Sequence, residues 1–215
     1  KVQEVSKQMR QEKLPGRSES PLVIYYSNQG SNRFLAQKIT KSLNCDMEEI
    51  VPRLNLFPLQ LIFSAIKRGL GIKRIQKDLA SYQTIILCGP IWMGHLISPL
   101  RSFLKNHGKQ IRQLYFVSCC GSSDEMKEKK FGYGLVFKQV KDLMGPAFVG
   151  STAFPITMVL PEEKREDAEL VMKTRLSESN FTGQIRDRYD QFIENFKNHR
   201  WESQAAVDDI AAAKV

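Results

Sequence analysis

The stretch IILCGPIWMGHLISPLRSFL, residues 85–104, decides the fold of this chain. Its first four residues, 85–88, form a compact apolar run that predicts a buried strand, and residues 89–96 predict an irregular loop. A helix should follow, because Ser98 is a favoured N-cap residue and Pro99 is well tolerated at the first helical position. The strand therefore delivers its carboxyl end to a loop from which a helix returns. In open α/β sheets, ligands bind at such strand ends.

The composition indicates one ordinary globular domain. The chain has 215 residues, of which 42% are hydrophobic and 26% are charged, so a substantial core is available. We expect the domain to span 22–200, preceded by a polar arm at 1–21 and followed by a tail at 201–215. A helical insert is expected at about 56–70, either covering part of the sheet or lying on a membrane surface. The first alternative is the simpler one.

The chain contains four cysteines, Cys45, Cys88, Cys119 and Cys120. They form no CxxC pair and have no histidine at metal-ligand spacing, which predicts free thiols in a reducing compartment and no metal site. No apolar run approaches the ~20 residues that span a bilayer, so no transmembrane segment is predicted. The first residues are too polar for a secretory signal. Together these features predict a cytoplasmic protein.

The formal net charge is +9. Such a charge suits an anionic partner, which could be a nucleic acid, an acidic protein or a membrane surface, or it can belong to a solvated surface without a partner. The lysines and arginines are scattered rather than forming one block interleaved with aromatic residues, and this disfavours nucleic acid. A solvated basic surface is the simplest interpretation.

Strands and helices alternate along the chain. Apolar or β-prone runs predict five strands, at 22–26, 47–51, 85–88, 113–118 and 147–160, the last of which runs on or bends at Pro155. Besides the helix after Ser98, four helices are indicated by inward-facing residues at helical spacing. These residues are Leu35, Ile39 and Leu43; Leu59, Ile62, Phe63 and Ile66; Leu135, Val136, Val140 and Leu143; and Ile185, Tyr189, Phe192 and Phe196. This order predicts an α/β fold, a doubly wound five-stranded parallel sheet in the order 2-1-3-4-5 with helices on both faces.

Three loops follow strands one, three and four, and each is rich in small polar or aromatic residues. The first, 27–32, precedes a helix, so its backbone N–H groups and hydroxyls suit a phosphate; alternatively, it only caps the helix. Neither GxGxxG nor GxxxxGK[ST] occurs, so the dinucleotide fingerprint and the P-loop are missing from the sequence. In the order 2-1-3-4-5 the three loops lie side by side, with the switch point between the first and third strands.

Three segments together resemble the flavodoxin-like family, in particular its larger members with a helical insert after the second strand: VIYYSNQGSNRFLAQKI, IILCGPIWMGHLISPLRSFL and LYFVSCCGSSDE. The resemblance covers residues 22–160 and implies noncovalent binding of flavin mononucleotide (FMN). The positions that match the family's phosphate loop are Ser27, Gln29, Gly30, Ser31 and Asn32. The positions that match the loop along one side of the flavin ring are Pro90, Ile91, Trp92, Met93 and Gly94. The positions that match the loop on the other side are Cys119, Cys120, Gly121 and Ser122.

The phosphate loop departs from the family's pattern. Gln29 stands where the family usually has Thr or Ser, and Ser31-Asn32 stands where it usually has Asn-Thr. Two hydroxyl donors are thus replaced by amides, which are longer but still donate hydrogen bonds. In the second loop, Trp92 offers an indole that can stack on a flavin, or it is an ordinary core or surface aromatic residue.

Four further side chains have two interpretations each. Cys119 and Cys120 could exchange electrons with a flavin or serve as core filler, and adjacent cysteines rarely form a disulfide. His95 could donate a proton near the flavin or be a structural histidine. Arg101 could orient an anion or form a surface ion pair.

The resemblance implies a redox protein. It can be an enzyme, in which NAD(P)H or another donor reduces the flavin and a quinone or similar acceptor is reduced in turn, or an electron carrier between protein partners. A flavin-free interaction domain is the third alternative. The sequence has no second nucleotide motif, so donor and acceptor stay unassigned, and a homodimer is equally open.

Overall fold

The protein is built on one main sheet of five strands: β1 (Leu22–Tyr25), β2 (Asp46–Glu49), β3 (Thr84–Cys88), β6 (Gln113–Cys120) and β7 (Phe148–Pro155). A computed structural model describes residues 18–54 and 56–198. All neighbouring strands of the sheet are parallel, in the order β2-β1-β3-β6-β7. Two short strands, β4 (Ile91–Trp92) and β5 (His95–Leu96), form a separate antiparallel hairpin. Counted without the hairpin, this is the order 2-1-3-4-5, so the predicted sheet is confirmed.

The described residues contain six α-helices: α1 (Ser31–Leu43), α2 (Phe57–Ala65), α3 (Ser98–His107), α4 (Tyr133–Met144), α5 (Ala168–Lys173) and α6 (Gln184–Lys197). Within those residues, no helix is long and apolar enough to cross a membrane. Residues 1–17 and 199–215, which include the expected tail and most of the expected arm, lie outside the described part.

The main sheet is covered on both faces. Successive side chains of a strand point to opposite faces, so β1 contributes to two cores. Leu22 and Ile24 lie in the core under α3 and α4, whereas Val23 and Tyr25 lie in the core under α1 and α6. The predicted helices on both faces are therefore confirmed.

The inward stripe of α4 differs from the predicted one. Leu135 and Leu143 were expected to face inward, but both are partly exposed, whereas Tyr133, Val136 and Val140 are buried. The helix begins at Tyr133, and its sheet-facing stripe follows from that residue in steps of three and four. The two leucines lie at or beyond the edge of that stripe, so their predicted burial is wrong.

The insert helix α2 is shorter than predicted, because it ends at Ala65 instead of residue 70. A left-handed backbone at Lys67, with φ 55, terminates it. Ile62 and Ile66 were expected to cover the sheet, yet each is 55% exposed. That prediction is wrong because α2 packs against α3 and β5 rather than flat on the main sheet.

The loop after β3 is a tight hairpin where an irregular loop was predicted. Its two turn residues, Met93 and Gly94, have φ values of 47 and 72. Positive φ at both central positions is the signature of a type I′ turn, which matches the twist of the flanking strands. A Cβ on Gly94 would lie 2.8 Å from the carbonyl oxygen of Lys130, so both conformation and space require glycine there.

Ser98 does not cap α3, so that prediction is wrong. The helix begins at Ser98 itself, and Ile97 holds the N-cap position without a side-chain cap. The Ser98 hydroxyl instead accepts a hydrogen bond from the backbone N–H of Leu70, at 2.9 Å. Pro99 is the second helical residue, one position later than predicted.

The strand predicted at 113–118 continues through Cys119 and Cys120, because its pairing with β7 extends to Pro155. Both cysteines are therefore strand residues and not loop residues. The last strand ends at Pro155 and a 3₁₀ turn, Ile156–Val159, follows, so the chain bends there.

Candidate functional site

The carboxyl ends of β1, β3 and β6 lie side by side at one edge of the sheet. The N–H of Tyr26 donates to the carbonyl of Cys88 at 2.9 Å, and the N–H of Gly89 donates to the carbonyl of Val117 at 3.0 Å. From this edge the chain enters α1 on one face of the sheet and α3 on the other. The point between β1 and β3 is therefore the topological switch point, where open α/β sheets form a crevice.

The first loop is exposed and held open by a glycine. Gly30 has φ 101, and a Cβ there would meet no heavy atom within 4 Å. Its N–H donates to the Ser27 hydroxyl at 3.1 Å, and Gln29 is exposed beside it. The first turn of α1 carries no acidic residue, so its N–H groups keep a favourable potential for an anion.

Asn32 links the first loop to the end of β6. Its side-chain amide donates to the carbonyl of Cys119 at 3.0 Å, and its side-chain oxygen accepts from the N–H of Cys119 at 2.8 Å. The residue is buried, and the Cys88 thiol donates to its backbone carbonyl at 3.4 Å. The Asn32 side chain therefore serves as a structural bridge across the tip of β3.

A segment near the chain's C-terminal end also reaches the first loop, and the sequence patterns gave no sign of this. The backbone N–H of Leu176 donates to the hydroxyl of Ser31 at 3.1 Å. Leu176 and Phe181 are buried, and the Phe181 ring packs edge-on against Phe34 of α1, with centroids 5.5 Å apart. The Ser31 hydroxyl is thus already used within the protein.

The second loop places its aromatic residue on the core. Pro90, Ile91 and Trp92 are half-buried, Gly94 is buried, and Met93 is 62% exposed at the turn. Ile91 and Trp92 pack on the core under α3 and α4. Ile91 also packs against the small cluster that contains Cys120, so the second loop touches the third.

The two adjacent cysteines point to opposite sides of β6. Cys119 lies in the core under α1 and α6, whereas Cys120 lies in the small cluster with Tyr133. All four cysteines of the chain are free thiols. Burial raises the pKa of Cys119 and raises the pKa of Cys120 to about 12. A protonated, buried thiol is a poor nucleophile and redox partner, so this geometry favours core filling.

The remaining third-loop residues lie at the surface. Gly121 is exposed, and a Cβ there would lie 3.6 Å from a methyl carbon of Val171 in α5. Ser122 is half-buried, and its hydroxyl and carbonyl both face the Cys120 sulfur at 3.7–3.8 Å. The segment after β7 therefore contacts both the first and the third loop.

An ion pair that the sequence did not reveal anchors the chain after the third loop. Arg188 of α6 donates to both carboxylate oxygens of Asp124, and the Tyr133 hydroxyl donates to the same carboxylate at 2.8 Å. Hydrogen bonding from Arg188 holds the pKa of Asp124 below its usual value. Arg188 also donates to the carbonyl of Ala153 in β7, at 3.2 Å. No local sequence signal could have paired residues 64 positions apart.

A buried arginine lies behind the hairpin. Arg101 is only 4% exposed, and its guanidinium donates to the side-chain oxygen of Gln139 at 2.9 Å. Gln139 in turn donates to the carbonyl of Gly94 at 3.0 Å, which ties α4 to the turn. The Nε of Arg101 and the Nδ1 of His95 are buried without a hydrogen-bond partner. Arg101 thus forms no surface ion pair, and burial lowers its pKa.

The described part of the chain holds no group of three or more histidine, cysteine or acidic residues that could bind a metal ion. The side chains that converge at the sheet edge are hydroxyls, amides, thiols and one indole. Such a set suits an organic ligand with a phosphate better than a cation.

This strand order and the helices on both faces define a flavodoxin-like fold. No protein-family model matches the sequence, and no curated protein is significantly similar to it.

Solved structures nevertheless share the fold. One is a flavoprotein in complex with FMN from Lactobacillus acidophilus NCFM, with 14% identity over 63% of this chain and 93% of the other, and a TM-score of 0.54. A second is a protein from Bacteroides eggerthii DSM 20697 described as a flavoprotein, with 17% identity over 72% of this chain and 98% of the other, and a TM-score of 0.53. A third, of the same description, comes from Bacteroides uniformis ATCC 8492, with 16% identity over 74% of this chain and all of the other, and a TM-score of 0.51.

Proposed function

We propose that the protein binds FMN at the switch point and transfers electrons through it. The proposal depends on one observation: three loops of the kinds that a phosphorylated ring system needs meet at neighbouring strand ends. A solved structure with the same fold contains FMN. Bound FMN would supply the redox chemistry, since its ring accepts and donates one or two electrons, and the protein would supply position and electrostatics.

The phosphate would be held mainly by backbone groups of the first loop. The side chains of Ser31 and Asn32 are engaged with Leu176 and Cys119, so these two positions would contribute their N–H groups at the start of α1. The hydroxyl of Ser27 and the exposed amide of Gln29 would add side-chain donors. A helix N-terminus favours the dianionic charge, and glycine at position 30 lets the backbone approach closely.

The ring would lie between the second and third loops. Trp92, half-buried on the core, offers an indole face for stacking, and Pro90 to Met93 would shield one side of the ring from water. The exposed backbone at Gly121 and the half-buried Ser122 would approach the other side. Buried, protonated Cys120 would shape this wall without reacting, whereas Cys119 faces the core on the other side of β6.

Two electron-transfer roles fit this site. In the first, NAD(P)H reduces the flavin and a quinone or similar acceptor takes the electrons; in the second, the protein carries electrons between protein partners. Met93 at the hairpin tip is 62% exposed, so either kind of partner would be able to contact the hairpin. The free thiols agree with a reducing compartment, and we place the protein in the cytoplasm.

The binding test is a titration of the flavin-free protein with FMN and with riboflavin, followed by flavin fluorescence. We expect FMN to bind at micromolar concentration or tighter, and riboflavin, which lacks the phosphate, to bind at least about tenfold more weakly. Trp92→Leu should weaken both ligands by about ten- to a hundredfold, since aromatic stacking is lost, and Trp92→Phe should restore most of the affinity.

A charge-matched pair separates the phosphate loop from general electrostatics. Gln29→Glu should weaken FMN but leave riboflavin unchanged, because the new carboxylate repels only the phosphate. Gln37→Glu adds the same charge to the exposed surface of α1 away from the loop and should change neither. A dissociation constant above about 100 micromolar is too weak for a resident cofactor. If neither flavin binds at about that concentration, the proposal fails and the flavin-free role is favoured.

The role is decided with the flavin-loaded protein under anaerobic conditions. Fast bleaching on addition of NADH or NADPH, followed by reoxidation with a quinone, supports the enzyme. Bleaching only in the presence of a separate reductase supports the carrier.

A further inference from the structure

The net charge of the chain is concentrated in one stretch. Residues 50–123 contain ten lysines and arginines and a single acidic residue, Asp78. This difference of nine charges equals the formal net charge of the whole chain, +9. The rest of the chain holds 22 basic and 22 acidic residues and is neutral. The asymmetry therefore lies in the acidic residues, which are almost absent from this stretch, whereas the basic residues are about as frequent there as in the rest of the chain.

The most one-sided part of this stretch is the insert. Between residues 50 and 77 there is no acidic residue, and six are basic: Arg53, Lys67, Arg68, Lys73, Arg74 and Lys77. Lys77 pairs with Asp46 at 2.9 Å. In the described residues, no carboxylate lies within ion-pair distance of Lys67, Arg68, Lys73 or Arg74, and all four are exposed.

The same segment exposes large aliphatic side chains. Leu54 is 50% exposed, Leu56 is 56% exposed, and Ile62 and Ile66 are each 55% exposed. Ile62 and Ile66 are four residues apart, so they share one face at the end of α2 and directly precede Lys67 and Arg68. We call these four aliphatic residues, together with Lys67, Arg68, Lys73 and Arg74, the insert surface.

The insert is held firmly against α3 by hydrogen bonds. The outward position of its aliphatic side chains is therefore not a result of loose packing. The Ser64 hydroxyl accepts from the N–H of Ser98 at 2.8 Å, and the Ser98 hydroxyl accepts from the N–H of Leu70 at 2.9 Å. The Ser102 hydroxyl accepts from the N–H of Gly71 at 3.2 Å. Three buried serines thus clamp the insert to the start of α3 with its aliphatic residues outward.

A lysine, Lys67, stands at the end of α2 in a backbone conformation that favours glycine. The N–H of Lys67 donates to the carbonyl of Ser64 at 3.1 Å, and the N–H of Arg68 donates to that of Phe63 at 2.8 Å. This is a Schellman ending, in which Lys67 occupies the left-handed position with φ 55. Glycine adopts that conformation without the steric cost that lysine has. Replacing Lys67 with glycine therefore removes a charge without harming the fold.

We propose that the insert surface docks the protein on an anionic membrane surface. Branched aliphatic side chains flanked by lysine and arginine, with no acidic residue among them, are the composition of segments that lie in the headgroup region. An acidic protein would match the charge equally well, but the residues that contribute most to protein–protein binding are enriched in tryptophan, tyrosine and arginine, and leucine is under-represented among them. The exposed apolar side chains that the structure describes in this segment are all aliphatic, which favours lipid. The inference does not depend on FMN binding.

The test is co-sedimentation of the full chain with vesicles of phosphatidylcholine alone and with 30% phosphatidylglycerol, on the order of a physiological anionic content. We expect binding to the anionic vesicles and at least about tenfold weaker binding to the neutral ones, decreasing as salt is raised. Lys67→Gly with Arg68→Gln should lower the partition coefficient about tenfold or more, since each base near the surface contributes about fivefold. Ile62→Gln with Ile66→Gln should lower it by about tenfold.

A control of the same kind, with one charge and one apolar side chain replaced, lies on the neutral part of the chain. Lys164 and Met172 are exposed, so Lys164→Gln with Met172→Gln removes one charge and one exposed apolar side chain elsewhere. This control should bind like the unmodified protein, and all variants should unfold cooperatively. Equal loss in the control, or no binding to anionic vesicles, overturns the proposal. Loss on charge removal but none on Ile62 and Ile66 replacement also overturns it, because the aliphatic side chains would then take no part in the attachment.

Discussion

Two buried polar side chains, Asn32 at the sheet edge and Arg101 behind the hairpin, have their hydrogen bonds satisfied to different degrees. Asn32 uses both ends of its amide on the backbone of Cys119, so its burial costs little. Arg101 keeps a buried charge with one amide partner, Gln139, and an unpaired Nε. Because a buried charge loses its hydration, this guanidinium is expected to cost stability rather than add to it.

The cost can be measured with Arg101→Met, which keeps the aliphatic volume and removes the charge. We expect the free energy of unfolding in urea to stay the same or rise by up to about 2 kcal/mol. Gln139→Leu should instead lower it by about 2–4 kcal/mol, because the guanidinium then loses its described side-chain partner and Gly94 loses a donor. The double variant should recover much of that loss. A large loss in Arg101→Met alone would show that the charge has a counter-ion.

At the scale of elements, the hairpin after β3 gives a prediction from turn geometry. Met93 has φ 47 in a type I′ turn, where asparagine is favoured, so Met93→Asn should raise the free energy of unfolding by about 0.5–1 kcal/mol. Gly94→Ala should lower it by about 1–3 kcal/mol, since the new Cβ would lie 2.8 Å from the Lys130 carbonyl oxygen. Urea unfolding measures both. Equal effects of the two substitutions would contradict the assigned turn.

The order of elements was predictable because each strand is a compact apolar run followed by residues that favour a turn or helix. A local sequence pattern does not show which distant residues a side chain will contact. The wrong predictions at individual residues have this cause. Ser98 has the chemistry of an N-cap, yet its hydroxyl accepts a hydrogen bond from the N–H of Leu70, which lies 28 residues earlier in the chain. Ile62 and Ile66 have helical spacing, which indicates a face but not what covers it.

The candidate site was predictable as a set of three loops, but not in its details. Strand order alone brings Ser27, Pro90 and Gly121 to one edge. The engagement of Ser31 by Leu176 depends on a segment 145 residues away, for which no spacing rule exists. The burial of Cys120 follows from two additional residues of strand pairing, which is within the usual error of a predicted strand end.

For the whole molecule, buried tyrosine and cysteine side chains make the stability of the fold sensitive to alkaline pH. Burial raises the pKa of Tyr189 to about 12 and that of Cys120 to about 12, and it raises the pKa of Cys45 to about 11. In the unfolded chain these groups titrate near their ordinary values, about 8.5 for cysteine and 10 for tyrosine. Above those values the native state holds more protons than the unfolded state, so stability must fall as pH rises.

We therefore expect the free energy of unfolding to be level between about pH 6 and 8 and to fall steadily from about pH 9 to 11. Tyr189→Phe should flatten the part of the decrease above about pH 10, because one of the titrating groups is gone. Its hydroxyl also donates to Ser42 at 2.8 Å, so Ser42→Ala is the control: it removes that hydrogen bond but should leave the slope unchanged. Urea unfolding at several pH values gives the slope directly. A free energy of unfolding that rises with pH would contradict the raised pKa values, and an unaltered slope in Tyr189→Phe would show that this tyrosine titrates alike in both states.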